Sequence, residues 1–347
     1  MEKSSKRVTL KDIAQKAGVS HMTVSYVLNN TPGVTISPET RKRVLEAAEA
    51  LNYSPNFAAQ RLRVNKANCI AVRIVSNLYV QRYHMALQGI RHYFENIGCS
   101  ILLCNDEQDP ISHYPQYITA CLNTQADGLI YIVAFDETSP PKNVLDVLQK
   151  RHIPFSVIDP LEDIEGAVNI RYDYFGSTFD RANALIHKGY RRFLYTRPEC
   201  VNPKEDLRER GMKAAIYSLD GLQLEIATLR GTRIPFSAHP GDVLGPESGL
   251  SFRAEARRIV EQASPDTAIV SSAQETQDNV SMYLYMQSQF HPELCRFPWY
   301  ERTLGYSFSH FEAGMLAAQE LKQLLKGEKG TSHVIRPNLL YVHADSF

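Results

Sequence analysis

The sequence predicts a small all-α head containing a helix-turn-helix, followed by a larger α/β body in two lobes. Three observations carry this. The N-terminal residues form three short amphipathic segments separated by capping and turn residues. From Cys69 onward, apolar strand-like runs alternate with amphipathic stretches. Charge divides the same way: residues 1–68 carry eleven Lys/Arg against five Asp/Glu, a net +6, whereas the whole 347-residue chain sums to zero. A chain of this length exceeds one ordinary domain, and 44% hydrophobic residues supply a large core and exclude global disorder. A basic head on an acidic body is the footprint of a polyanion-binding module. Charge alone fits a solvated surface equally well.

In the head, Thr9-Leu-Lys-Asp12 is a capping-box-like start, with a hydroxyl able to satisfy free first-turn amides and an acid three residues on. Leu10, Ile13, Ala14 and Ala17 then share one helical face. Gly18 stops the helix where a left-handed turn costs least. Ser20 caps a second helix reaching about Leu28, with Val24, Val27 and Leu28 inward. Asn29–Gly33 breaks the pattern, and Ser37-Pro38-Glu39 restarts it with a cap, a first-turn proline and an acid at the positive helix end. The third helix runs to about Leu51, with Val44, Leu45, Ala48 and Leu51 inward. Two short helices joined by a glycine turn make a helix-turn-helix. Such pairs also occur as plain helical caps in proteins that never touch DNA.

The order and spacing of Val8-Thr-Leu-Lys-Asp-Ile-Ala-Gln-Lys-Ala-Gly-Val-Ser20, Thr23-Val-Ser25, Val27-Leu-Asn29, Ser37–Val44 and Leu51–Asn56 resemble the head of the LacI/GalR family of bacterial repressors. The resemblance implies that the helix from Ser20 enters the major groove of double-stranded operator DNA, where each base pair shows a distinct donor–acceptor pattern. His21 and Met22 fall on the family's variable base-reading positions; the alternative for Met22 is packing against the first helix. Thr9, Ser20, Thr23, Ser25 and Asn29 complete the implied DNA-contacting set. Tyr26 departs from the family pattern, because many relatives carry Arg there. Arginine grips guanine with two hydrogen bonds and tyrosine does not, so operator half-sites are expected to differ at that base pair.

Asn56–Arg63 matches the family's hinge segment, which becomes helical only on DNA, where two copies pair in the minor groove. Ala59 is small enough for close approach, Leu62 matches an apolar wedge that kinks the duplex, and Arg61 and Arg63 would meet phosphates. The plain alternative is a short linker helix. Domain boundaries follow: 1–54 for the helix-turn-helix, 55–68 for hinge and linker, 69–347 for the body.

The body's strand-like runs include Cys69–Val75, Cys99–Asn105, Gly128–Ala134, Pro154–Asp159, Arg192–Thr196, Leu224–Leu229 and Thr267–Ser271. Helix-like stretches include Tyr83–Ile97, Phe175–Lys188, Lys204–Leu219 and Phe252–Gln262. Near-continuous apolar strands separated by amphipathic helices indicate buried parallel sheets, and the cleft between two such lobes is the default pocket. Leu103–Asp106 with Asp109-Pro110, Ala126–Ile130, Ile153-Pro154 with Asp159, Lys188–Arg192 and the close from Leu339 to Ser346 extend the resemblance to the C-terminus. It implies a periplasmic-binding-protein-like body that senses a small-molecule effector, a sugar or another metabolite, by lobe closure. It also implies a homodimer presenting two heads to a palindrome. Asp159 and Arg208 match positions that often face ligand; Tyr79 and Phe135, just after strand ends, are placed to stack on one. Each is equally compatible with a structural role.

Two departures bear on the effector. Ala273-Gln274 stands where the family commonly has Asn-Asp, so Gln274 replaces a polar ligand contact. The later strand that usually supplies a sugar-binding carboxylate gives way to a Pro-rich, aromatic stretch from His291 to Arg302. A non-sugar or lost effector response is therefore a second reading, and a solute-binding sensor without DNA a third. No enzyme motif is present: Gly305-Tyr-Ser-Phe-Ser309 fails as a nucleophile elbow at its last position, and there is no P-loop, dinucleotide turn or H-E-x-x-H. The eleven histidines and six cysteines show no metal-ligand spacing, so neither metal nor cofactor is expected and the thiols read as buried and reduced. A polar N-terminus and the lack of a membrane-length apolar run point to a cytoplasmic protein.

Overall fold

A computed structural model describes residues 8–28, 33–53, 67–74, 81–134, 137–198, 202–229, 254, 257–259, 261–264, 266–272 and 305–340. The chain divides into two compact units, Met1–Asn65 and Lys66–Phe347.

In the first unit, helices α1 (Leu10–Ala17), α2 (His21–Leu28) and α3 (Pro38–Ala50) enclose a core of Ile13, Ala14, Ala17, Val24, Val27, Val44, Ala47 and Ala48. The amide and the hydroxyl of Thr9 both donate to the Asp12 carboxylate at 2.7 Å. The Thr9 side chain also accepts from the Asp12 backbone amide, completing the capping box. Gly18 lies in the left-handed region at φ 65° and returns its N–H to Ala14. Ser37 caps α3, accepting from the Thr40 amide at 3.3 Å. Leu45, expected inward, is 49% exposed, and Ala47 takes its place in the core. The three helices meet closely enough that an alanine fills that position.

Among the described residues, the second unit holds two parallel sheets. The first, in order β10-β5-β4-β3-β1-β2, comprises β1 (Cys69–Arg73), β2 (Ser100–Cys104), β3 (Gly128–Ile132), β4 (Phe155–Ile158), β5 (Val168–Tyr172) and β10 (His333–Ile335). Every pairing in it is parallel. Helices α4 (Gln81–Glu95) and α9 (His310–Leu325) cover one face, and α5 (Gln116–Leu122) and α6 (Lys142–Lys150) the other. Strands β1, β3 and β4 are buried along their whole length, as apolar strands covered on both faces must be. The strands end earlier than the apolar runs suggest: β1 stops at Arg73, β2 at Cys104 and β4 at Ile158.

The second sheet, in order β7-β6-β8, is built from β6 (Arg192–Pro198), β7 (Gln223–Leu229) and β8 (Thr267–Ser271). Helices α7 (Tyr174–His187) and α8 (Pro203–Tyr217) pack on it through Ala182, Leu185, Met212, Ala215 and Ile216. An antiparallel ribbon joins β9 (Gly305–Ser307) to β11 (Asn338–Leu340). Strand β5 runs straight into α7, so Tyr172–Tyr174 crosses from the first lobe to the second. Asp173 donates its amide to Ile335 at 3.0 Å and its carboxylate caps α7 at the Gly176 amide, 2.7 Å away.

Cys69, Cys99 and Cys104 are buried and Cys121 is half-buried. Burial pushes Cys104 up to about 11 and Cys121 up to about 12, so both stay protonated and inert near neutral pH.

Candidate functional site

In the first unit, α2 has two distinct faces. Val24 and Val27 point into the core. At 100° per residue, His21, Met22, Ser25 and Tyr26 form a stripe on the opposite side. Met22 is 60% exposed and His21 is exposed, while Ser25 and Tyr26 are half-buried. Packing against the first helix therefore does not account for Met22. The stripe is held by the cap beneath it: the Ser20 hydroxyl accepts from the Thr23 amide at 3.0 Å and shares a hydrogen bond with the Thr23 hydroxyl at 2.9 Å. Lys11, Lys16, Lys42 and Arg43 are exposed on the same small unit. A helix carrying exposed side chains, set among exposed surface cations, is an arrangement compatible with groove readout and phosphate contacts. Asn29, Asn56, Ala59, Leu62 and Arg63 lie outside the described residues.

In the second unit, the carboxyl ends of β3 and β4 meet the start of four helices. Asp159, just after β4, is fully buried with a left-handed backbone at φ 67°. Its carboxylate is 2.9 Å from the Tyr174 hydroxyl through both oxygens and pairs with Arg82 and, at 2.9 Å, with Lys204 Nζ. Lys204 also donates to the Ala134 carbonyl at 3.2 Å. Burial pushes the Lys204 pKa below the usual lysine range, against the pull of Asp159. Burial and Asp159 raise Tyr174, so its hydroxyl keeps the proton it donates.

Arg208, one turn along α8 from Lys204, lies with its guanidinium 4.4 Å from the Tyr174 ring centre. Its Nη1 donates to Glu205 at 3.0 Å, and Glu205 also accepts from the Tyr195 hydroxyl at 2.8 Å. The structure thus brings Asp159 and Arg208 together through a third residue, Tyr174, which bonds one by its hydroxyl and underlies the other by its ring. Below them the crossing is packed with Tyr172, Tyr174, Phe308 and His310, with Tyr172 4.9 Å from both Phe308 and His310. His310 Nδ1 is 2.7 Å from the Tyr172 hydroxyl, and burial aided by Arg82 pushes the imidazole down to about 3.

Beside this joint, Arg73 at the end of β1 ties three strand ends together. It grips Asp106 two-pronged at 3.0 and 2.6 Å and meets both oxygens of Glu137 at 3.0 and 2.9 Å. Tyr79, Phe135 and Gln274 lie outside the described residues. Sequence reasoning passed over Arg82, Tyr174, Lys204, Glu205 and His310. The spacing of Lys204 and Arg208, four apart on one helical face, and the placing of Tyr174 after a capping aspartate were the available signals. Among the described residues no cluster of three or more His, Cys, Asp or Glu side chains is arranged to hold a metal, and no helix is long and apolar enough to cross a membrane.

Residues 9–56 match the family model for bacterial regulatory proteins of the lacI family. The HTH-type transcriptional regulator RegA of Clostridium acetobutylicum is 30% identical over 183 residues, 52% of each chain. Catabolite control protein A of Priestia megaterium is 28% identical over 212 residues, 60% of this chain and 61% of its own. The HTH-type transcriptional repressor PurR of Edwardsiella ictaluri is 32% identical over 152 residues, 44% of this chain and 42% of its own. The chain thus spans about half the length of the relatives it matches, and those relatives are regulators rather than enzymes. Among solved structures, the lac repressor dimer bound to operator and the anti-inducer ONPF matches with a TM-score of 0.67 at 17% identity, over 96% of this chain and 98% of that one. The CelR–cellobiose complex matches at 0.56 and 18% identity over the same shares. Together the capped three-helix head, the two-lobed parallel α/β body and these matches make the chain similar to bacterial regulatory proteins of the lacI family, with the family model covering residues 9–56.

Proposed function

We propose that this protein is a sequence-specific DNA-binding transcriptional regulator, acting as a repressor. It binds a palindromic operator as a homodimer, and a small molecule in the inter-lobe cleft alters its hold on DNA. The observation that carries this reading is the α2 stripe, with Met22 60% exposed opposite buried Val24 and Val27. His21, Met22 and Tyr26 read base edges, Thr9, Ser20, Thr23, Ser25 and Asn29 meet backbone or bases, and Asn56, Ala59, Leu62 and Arg63 serve the minor groove. Asp159 and Arg208, with Tyr79, Phe135 and Gln274, line the effector cleft. Effector binding shifts DNA affinity because it favours whichever lobe geometry it fits better.

A second reading, in which the effector is not a plain sugar or no longer acts, is favoured by the commitment of both Asp159 oxygens to protein donors. A fully buried carboxylate held by these donors is closed to sugar hydroxyls while the donors stay in place. Selection of bound sequences from random duplex DNA, with purified full-length protein at moderate fixed salt, tests the first reading. A recovered palindrome is the expected result. No enrichment, with or without pooled metabolites, would overturn it.

A further inference from the structure

Lys204 and Asp159 belong to different lobes. Lys204 stands in the first turn of α8, which packs on the second sheet, whereas Asp159 and Ala134 follow β4 and β3 of the first. The Lys204 side chain is 0% exposed and that of Asp159 1%. Its ammonium reaches Asp159 Oδ2 at 2.9 Å and the Ala134 carbonyl at 3.2 Å, at the carboxyl ends of parallel strands, where such sheets present their ligand contacts. Asp159 holds its carboxylate toward that crossing from a left-handed backbone, φ 67°, a conformation that persists only where the surroundings over-determine it.

We propose that Lys204 acts as an internal effector: its ammonium, carried by the second lobe into the first, latches the cleft closed without a small molecule. The proposal rests on the inter-lobe joint being the regulatory cleft. An incoming effector must displace this ammonium. A neutral polyol competes poorly, because displacing the ammonium leaves the Arg82 guanidinium and the Tyr174 hydroxyl to hold a fully buried carboxylate.

Hydrogen–deuterium exchange on ligand-free full-length protein tests this with Lys204→Gln and Lys204→Arg. Glutamine keeps a donor for Ala134 and removes the charge. The probes are the amides of Asp159, bonded to Ile170 at 2.7 Å, and of Glu205 and Asp206, bonded to Asn202 at 2.8 and 3.0 Å. In K204Q, exchange at these amides is expected to rise on the order of tenfold or more, while α4 and α9 interiors stay as in wild type. K204R, retaining the charge, is expected to stay near wild type. A folded K204Q with unchanged exchange at the joint overturns the latch. So does a rise spread evenly over all helices, which would mean general loss of stability. DNA selection on the same wild-type sample keeps the two readings apart: its failure sinks the regulator assignment without altering the exchange result.

Discussion

Gly314 on α9 presses against the backbone of Ala86 on α4, so closely that a Cβ on Gly314 would stand 2.0 Å from the Ala86 carbonyl oxygen. The reciprocal contact is as tight, with a Cβ on Gly89 falling 2.0 Å from the Phe311 carbonyl oxygen. Backbone atoms cannot swing aside as a side chain would. Gly314→Ala must therefore push the two helices apart and loosen Ile90, Ala317 and Leu321, all buried beneath them. The expected loss is about 2–3 kcal/mol in urea unfolding, seen as a lower midpoint with an unchanged slope. A midpoint equal to wild type would show that the helices do not touch in this way.

Arg73 should behave as a tie between strand ends. Its guanidinium is buried, but Asp106 is about half-exposed and Glu137 partly so, which lowers what the pairs contribute. Arg73→Met removes the charge, keeps most of the apolar stem and strips Ile132 of the 2.8 Å bond to its carbonyl. A loss of about 2 kcal/mol is expected. Arg73→Lys should recover only part of it, because an ammonium does not make two-pronged pairs with two carboxylates. Full recovery by lysine would argue against the fork geometry.

Acid sensitivity above the carboxylate range should come from His310. Its folded pKa of about 3 lies below the ordinary value of 6.5, so in between the unfolded chain takes a proton that the folded protein refuses. Stability is therefore complete above pH 6.5 and falls as pH drops from 6.5 toward 3, by up to about 1.4 kcal/mol per pH unit. Denaturation midpoints of wild type and His310→Asn between pH 7 and 5 check this. The variant starts less stable, through loss of the Tyr172 contact, but with a flatter pH dependence. Parallel slopes would place the titration elsewhere.

Base readout is expected to reside in the α2 stripe and affinity in the surrounding cations. Met22→Ala should relax preference at one or two base pairs of each half-site by about 1–3 kcal/mol while leaving the salt dependence unchanged. Tyr26→Arg should shift preference toward guanine at its own base pair. Lys42→Ala should do the reverse, weakening all duplexes alike and shallowing the salt slope. Binding titrations against a panel of single-base operator variants at several salt concentrations separate these patterns.

The head was legible because its signals are local. A hydroxyl or acid at a helix start, a glycine in the left-handed region and a proline in a first turn act over three or four residues. Thr9, Gly18, Ser20, Ser37 and Pro38 occupy those places in the structure. Leu45 misled because hydrophobicity reports what burial would be worth, not which side chain the neighbouring helices leave room for. Strand β5, Val168–Tyr172, was not singled out because Asn169 and Arg171 interrupt its apolar pattern. Asn169 is nevertheless buried, satisfied by the Ile164 amide at 2.9 Å and by the carbonyls of Ile164 and Ala167.

By itself, the sequence determined the three capped helices, their motif order, the basic cast of the head and the alternation that makes parallel sheets. Each depends on neighbours along the chain or on summed composition. Only the tertiary structure decided the joint between the lobes. Arg82, Asp159, Tyr174, Lys204 and His310 come from five separate elements or loops, and none carries a local mark of its neighbours. Their meeting depends on how two sheets and four helix starts converge. That convergence, which buries both side chains, turns an ordinary surface lysine type into a partner for Asp159.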